Sequence, residues 1–255
     1  MSNDHEWLNL IEVSGPFLAV PVLREVFPQG LEALPSGRPQ RLRRTYEEWR
    51  DAVDVDDLDL PALHAAWIDD VLVTALEMDE TVLRKGATLS EQLTVSMPEH
   101  GVTVAPDLAV VNPPNSDEPL LLIHVYEPDT DLDATRRFDG LAITPADRMV
   151  ALLRSTGCPT GIVTNGERWM LVHAPVGAVA GFASWYARLW GQEPETLRAF
   201  VSLLGIRRFF GPEEAKLPAL YERSLKHQDD VTEALGEQVR RAVEVLVQAL
   251  DRADQ

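Results

Sequence analysis

The spacing of the apolar residues changes twice along this chain, and that change limits the fold more than any other feature. Before residue 90 the apolar residues recur at helical spacing, as in the stripe from Leu63 to Ala75. Between residues 93 and 126 they form short β-rich runs, and from Phe182 onward the helical spacing returns. The two periods are typical of helices and strands, respectively. The sequence therefore predicts an α/β fold in which N-terminal and C-terminal helices flank a mixed sheet.

Three short runs with strand-like composition occupy residues 93–97, 102–111 and 120–126. They are separated by the turn signals PEHG and NPPNSDE. Short β-rich runs joined by such turns predict an antiparallel meander.

The segment TPADRMVALLRSTG predicts a helix whose two ends are both marked. Thr144 is a suitable N-cap, Pro145 fits the first helical position, and Gly157 fits the stop. In the next segment, two apolar runs flank Asn165-Gly166, which predicts a hairpin. Because a helix joins the earlier strands to this hairpin, we expect its first strand to lie parallel to one of them.

The chain carries a formal net charge of −18, which opposes loose binding to nucleic acid because such binding depends on basic side chains. Any DNA contact would have to be local. The most basic window, GRPQRLRRTYEEWR, offers Arg41, Arg43 and Arg44 as candidate DNA-binding residues, and a solvated surface explains the same cluster equally well. The lone Cys158 has no partner for a disulfide and is best interpreted as a small buried hydrophobe.

The ends of the sequence bear on location and assembly. The first residues lack the pattern of a signal peptide, and the longest apolar run is too short to span a bilayer, so we expect a cytoplasmic protein without a membrane contact. Residues 235–249 carry one apolar stripe, which needs a partner surface. That surface could belong to this domain, to a second copy in a homo-oligomer, or to sequence that follows Gln255.

Several short motifs occur in an order that resembles one known fold: APDLAVV, LLLIHVY, PADRMVALLRSTG and PTGIVTNGERWMLV. They resemble the restriction-endonuclease-like domain, of the PD-(D/E)xK type, at the N-terminus of type IIG-like restriction-modification and phage-defence adenine methylases. The resemblance implies a helical part over residues 1–90, the α/β core over 91–176 and a helical connector over 177–255. It also implies DNA and a methyltransferase domain or subunit as partners.

The same resemblance implies a metal site. In such nucleases an acid after a proline, and then an acid and a lysine on the next strand, hold Mg²⁺ and orient water near the scissile phosphate. Asp107 matches the first acid and is the candidate metal ligand. His124 and Tyr126 stand where the second acid and the lysine are expected. Histidine is a poor ligand for a hard cation and tyrosine is uncharged near neutral pH, so we expect a degenerate site.

A displaced carboxylate could complete the site. We expect Glu12 on the first helix, from which it could reach Asp107. Glu127 follows Tyr126, and strand alternation points it away from His124 unless a bulge intervenes. Three functions therefore stay open: a degenerate nuclease module for recognition or assembly, an active Mg²⁺-dependent endonuclease, and an acidic protein-docking scaffold.

Overall fold

The computed structural model describes residues 6–97, 102–115, 117–138 and 141–229. In chain order the strands are β1 (Glu12–Ser14), β2 (Leu83–Lys85), β3 (Val95–Met97), β4 (Val102–Val104), β5 (Leu108–Asn112), β6 (Glu118–Val125), β7 (Arg136–Phe138), β8 (Leu141–Ile143), β9 (Thr160–Thr164), β10 (Arg168–His173) and β11 (Gly181–Tyr186). A seven-stranded mixed sheet has the order β1-β11-β10-β9-β6-β5-β2. The predicted α/β fold with a mixed sheet is confirmed.

Helices cover both faces of this sheet. Their bounds are α1 (Val20–Val26), α2 (Arg38–Asp54), α3 (Leu60–Asp69), α4 (Pro145–Thr156), α5 (Pro194–Leu204) and α6 (Arg207–Phe210). The chain continues from α3 into a π-helical turn over Asp70–Ala75, and residues 217–229 are also helical. Within the described ranges, no helix has the length and apolar character needed to cross a membrane.

The helix α4 has the ends that the sequence predicts. The Thr144 hydroxyl accepts a hydrogen bond from the Asp147 N–H at 3.0 Å, and Pro145 occupies the first helical position. Gly157 ends the helix with a φ of 76°, a left-handed conformation that favours glycine. The chain then enters β9, which pairs in parallel with β6. The predicted crossover and its parallel pair are therefore confirmed.

The side chains of β6 alternate between two apolar cores on the two faces of the sheet. Leu121 and Ile123 belong to the core that contains the buried residues of α1, α2, α3 and α5. Leu122 and Tyr126 belong to the core that contains the buried residues of α4. Cys158 lies in this second core at 2% exposure, as predicted. Any residue that shares the face of Leu122 therefore lies beneath or beside α4.

The predicted meander is wrong at its first strand. The strands β3 and β4 form a separate two-stranded sheet, and β5 pairs instead with β2, which the sequence placed in a helical part. Residues 102–111 are two strands rather than one. Pro106 lies at the break, where a proline cannot donate a ladder hydrogen bond.

The first residues also differ from their predicted helix. Glu12–Ser14 forms the edge strand β1 and pairs with β11. Two glycines allow this close approach: Gly15 has a φ of 73°, and a Cβ on Gly181 would lie 1.9 Å from the Pro16 carbonyl oxygen. Pairing with a distant strand has overridden the helical spacing of the segment.

The Asn165-Gly166 turn joins β9 to β10, as predicted, and forms a packing centre. Gly166 has a φ of 88°, and its carbonyl oxygen accepts hydrogen bonds from the indole N–H groups of Trp67 at 2.8 Å and Trp169 at 3.1 Å. The turn thereby links α3, which carries Trp67, to β10, which carries Trp169.

Replacing Gly166 with alanine is expected to lower the free energy of unfolding by roughly 1–3 kcal/mol, because the backbone has a positive φ. In addition, the new Cβ would lie 2.8 Å from Trp49 Cζ2 and 2.9 Å from His64 Cε1. Urea denaturation measures the loss. The matched control is Gly177→Ala, where φ is 79° and nothing lies within 4 Å of the new Cβ. Equal losses in the two variants would contradict a packing contribution at Gly166.

Candidate functional site

The neighbouring strand β6 holds Asp107 in place at the entry to β5. The Asp107 backbone N–H donates to the Ile123 carbonyl oxygen at 2.9 Å. Its carboxylate Oδ2 accepts from the Val125 N–H at 2.8 Å and lies 3.2 Å from His124 Nδ1. The side chain is 52% exposed. The structure thus brings the predicted acid and His124 together on the face covered by α4.

His124 is a buried residue rather than an open ligand. Its side chain is 1% exposed, and β6 lies between β5 and β9 at this point. One ring nitrogen, Nδ1, faces Asp107. The other, Nε2, is buried and has no hydrogen-bond partner within the described residues. Neither nitrogen faces solvent in a way that would admit a cation.

Tyr126 continues the same face and packs as an aromatic residue. Its ring centroid lies 5.9 Å from that of His124 and 5.4 Å from that of Phe138. Its hydroxyl oxygen accepts a long hydrogen bond of 3.4 Å from Arg148. Burial raises the pKa of Tyr126 above its ordinary value, so the hydroxyl stays protonated at neutral pH.

The cation on this face is Arg148, which the sequence reasoning did not select. It lies in the first turns of α4, and its guanidinium is 5.0 Å from the centre of the Phe138 ring. A signal for it was present, because the predicted helix places Arg148 next to the apolar residue Met149. A basic residue next to the apolar face of a crossover helix can reach the rim of that face.

The alternative acids lie elsewhere. Glu127 is exposed, and its charge acts on His64, which packs beside Trp49 on the opposite face of the sheet. β6 ends at Val125, so Glu127 lies beyond the strand and its orientation stays a prediction. Burial lowers the pKa of His64, and the charge of Glu127 opposes that shift only in part.

Glu12 is far from Asp107, so the expectation that it reaches in from a helix is wrong. It lies on β1, and β11, β10, β9 and β6 stand between β1 and β5. Five strand spacings of about 4.8 Å amount to roughly 24 Å. Its carboxylate instead accepts from the Tyr186 hydroxyl at 2.7 Å and lies 3.4 Å from Arg168.

The three candidate DNA-binding arginines lie on α2, across the sheet from Asp107. Arg41 forms an ion pair with the buried Asp70 at 2.8 Å, and Arg43 pairs with Glu47 at 2.7 Å. Arg44 is exposed, and the described part of the chain offers it no hydrogen bond or ion pair. The structure therefore does not bring these arginines together with Asp107.

The family model described as "MmeI, N-terminal domain" matches residues 68–249, which is more than half of the chain. The chain belongs to this family. It is accordingly a module of the type IIG restriction-modification class. The matched range contains Asp107, His124 and Arg148, whereas Glu12 and the arginines of α2 precede it. No curated protein and no solved structure matches the chain.

The residues around Asp107 in this family member do not fit a Mg²⁺ site. Mg²⁺ prefers oxygen ligands in a near-octahedral arrangement, usually with one or two carboxylates and several waters. Within the described residues, the contacts of Asp107 bring in no second carboxylate: its Oδ2 accepts from the Val125 N–H and faces the His124 imidazole, which packs against the Tyr126 phenol. Among the residues that the structure describes, no group of three or more His, Cys, Asp or Glu could hold a metal ion.

Proposed function

We propose that this chain is the DNA-directed module of a restriction-modification or phage-defence system, in which a degenerate nuclease domain serves recognition or assembly. The environment of Asp107 carries the proposal. The Asp107 carboxylate accepts a hydrogen bond from the Val125 N–H and faces the buried His124, which supports a site that no longer binds a metal. Membership in the family supports the restriction-modification context. A methyltransferase domain or subunit is the partner expected from that context.

The chemistry of this face favours holding a phosphate over cutting a phosphodiester. Metal-dependent hydrolysis needs carboxylates that place a cation near the scissile phosphate and a group that activates water. Tyr126 stays protonated at neutral pH because burial raises its pKa. Arg148 is always charged, so it can neutralise a phosphate but cannot take a proton from water. In the part of the face that the structure describes, Asp107 supplies a half-exposed carboxylate and Arg148 supplies a cation.

We expect the protein to bind duplex DNA at low to moderate salt and to leave supercoiled plasmid intact with Mg²⁺ or Mn²⁺. Replacing Arg148 with alanine should weaken duplex binding by about 10- to 100-fold, since a hydrogen bond to a charged group contributes about 1.5–3 kcal/mol. Fluorescence anisotropy over a salt series measures binding, and gel electrophoresis measures cutting.

The matched control is Arg154→Ala, another arginine of α4, whose guanidinium donates to the Ala178 carbonyl oxygen at 2.9 Å. Its loss should leave DNA affinity unchanged. Metal-dependent cutting that Asp107→Ala abolishes would replace the proposal with an active endonuclease. Absence of DNA binding at every salt concentration would instead favour the acidic docking scaffold.

A further inference from the structure

A groove of about 810 Å³ lies on the face of the sheet opposite Asp107, between α2 and the segment that joins β11 to α5. We refer to it as the α2 groove. Sites for small molecules typically have volumes of roughly 300–1,000 Å³. The residues that matter for its chemistry are Arg43, Tyr46, Trp67, Arg188, Trp190 and Gln192.

The floor and wall of the α2 groove are aromatic. Trp67 and Trp190 are 0% and 7% exposed, and their ring centroids lie 6.0 Å apart. Tyr46 is half-buried and packs edge-on against Trp67 at 5.5 Å. Its hydroxyl donates to Glu167 at 2.7 Å, so the ring has a fixed orientation. A fixed aromatic wall over an apolar floor suits a flat, apolar ring system.

The rim of the α2 groove carries arginine side chains, each of which is paired with a carboxylate. Three arginines and one glutamate line it. Arg198 is committed to the Leu31 and Glu32 carbonyl oxygens. Arg43 and Arg188 have side chains that are 66% and 56% exposed.

The carboxylates that pair with these two exposed arginines differ in burial: the Glu47 side chain is exposed, whereas the Glu167 side chain is mostly buried and also accepts from the Tyr46 hydroxyl. Arg43 pairs with Glu47 at 2.7 Å, and Arg188 pairs with Glu167 at 3.1 Å. The Arg43–Glu47 pair is exposed on both sides and therefore weak, so an anion can replace Glu47 at little cost. Arg188 keeps Glu167 as a partner and meets an anion with its remaining N–H donors. Guanidinium groups match the geometry of phosphate oxygens and form two parallel hydrogen bonds with them.

We infer that the α2 groove binds a nucleoside phosphate. The base lies on the apolar floor beside Tyr46, and the phosphate lies at the rim formed by Arg43 and Arg188. Gln192, also on the rim, carries an amide that can donate to and accept from a base edge. The inference rests on the proposed function, because an unpaired nucleotide of bound DNA presents the same groups as a free mononucleotide.

Deoxyadenosine 5′-monophosphate is the probe, with deoxyadenosine and inorganic phosphate as comparisons. Trp67 and Trp190 line the groove, so quenching of tryptophan fluorescence reports binding. The nucleotide should bind more tightly than either fragment. Arg43→Ala should weaken its binding by about tenfold, because a charge-assisted hydrogen bond to phosphate is lost.

The chain offers a close control for that variant. Arg50 lies on the same helix and pairs with Asp54 in the same i,i+4 arrangement at 2.6 Å, but it does not line the groove. Arg50→Ala should therefore leave nucleotide affinity unchanged. Gly191 lines the groove and has nothing within 4 Å of an added Cβ. Gly191→Phe should fill the groove and abolish binding, and thermal melting checks that it is folded.

Equal losses in Arg43→Ala and Arg50→Ala would overturn the inference, as would full binding by a folded Gly191→Phe protein. A single-stranded oligonucleotide then identifies the source of the ligand. If it competes with the mononucleotide, the groove holds an unpaired nucleotide of DNA. Mononucleotide binding without any DNA binding supports the groove and contradicts the proposed function. Duplex binding with no mononucleotide binding contradicts the groove inference alone.

Discussion

Replacing Trp169 with alanine is expected to lower the free energy of unfolding by about 3–5 kcal/mol. Trp169 is fully buried in β10, with its ring centroid 5.7 Å from that of Phe200 and 6.4 Å from that of Trp190. Its indole N–H also donates to the Gly166 carbonyl oxygen. Alanine removes the ring, leaves a cavity and breaks that bond. Domains commonly have a total stability of about 5–15 kcal/mol, so this loss removes a large fraction of the stability of a typical domain.

Urea denaturation followed by far-ultraviolet circular dichroism measures the loss. Leu58→Ala is the control, because Leu58 is 98% exposed, and its expected change is within about 0.5 kcal/mol. Trp169→Phe keeps most of the apolar volume but loses the hydrogen bond, so its loss should fall between the other two. A Trp169→Ala protein as stable as the Leu58→Ala protein would contradict the core position of this ring.

Local signals in the sequence predicted the centre of this fold correctly. The ends of α4 follow from Thr144, Pro145 and Gly157, whose effects act within one helical turn. The hairpin follows from Asn165-Gly166, because only a few residues accept the positive φ of such a turn. The parallel pairing of β6 with β9 then follows from the handedness and length of a helical crossover. Each of these inferences depends on residues that are close together in the chain.

The edges of the sheet were not predictable in the same way. Glu12–Ser14 and Leu83–Lys85 are three residues long, and no period can be read from three residues. The side chains of β1 are all exposed, so the strand carries no apolar pattern. The segment adopts a strand conformation because it pairs with β11, which lies far away in the sequence. Long-range pairing commonly overrides local propensity in short edge strands.

The strands that carry the candidate site were predictable from the sequence, whereas the residues that pack around it were not. The shared face of Asp107 and His124 follows from strand alternation and from the pairing of β5 with β6. The burial of His124 and the approach of Arg148 depend on where α4 docks, which the sequence does not specify. The basic window on α2 was ambiguous for a similar reason, because the Asp70 partner of Arg41 becomes a neighbour only in the folded chain.

Replacing His124 with glutamate is expected to destabilise the protein by about 3–5 kcal/mol at neutral pH, because an unpaired charge becomes buried. The imidazole is 1% exposed and lies against the carboxylate of Asp107. Burial and the like charge of Asp107 both raise the pKa of the new carboxyl group above its unfolded value of about 4.3. The new carboxyl group then binds its proton at a higher pH in the folded state than in the unfolded state. The loss of stability is therefore greatest above the folded pKa and shrinks as the pH falls towards the unfolded pKa.

His124→Gln is the matched control, since it has nearly the same shape without the charge. It should lose less stability than His124→Glu at pH 7, and the difference between the two variants should shrink as the pH falls because that difference depends on the new carboxyl group. Adding Tyr126→Lys to His124→Glu rebuilds the acid and lysine of the nuclease pattern next to Asp107. If the backbone is that of a nuclease, Mg²⁺ should raise the melting temperature of this double variant and leave the unaltered protein unchanged, because ligand that binds only the folded state stabilises it.

Three results would contradict this account of the site. Equal stability of His124→Glu and His124→Gln at pH 7 would mean that the new carboxylate is solvated and the face is open. A double variant that does not respond to Mg²⁺ would mean that the strands do not have the geometry of a nuclease site. Recognition or assembly would then be the function of a domain that is not a degenerate nuclease. A Mg²⁺-dependent rise in the melting temperature of the unaltered protein, lost in Asp107→Ala, would show that other oxygen ligands reach Asp107, and the active endonuclease would then be the better account.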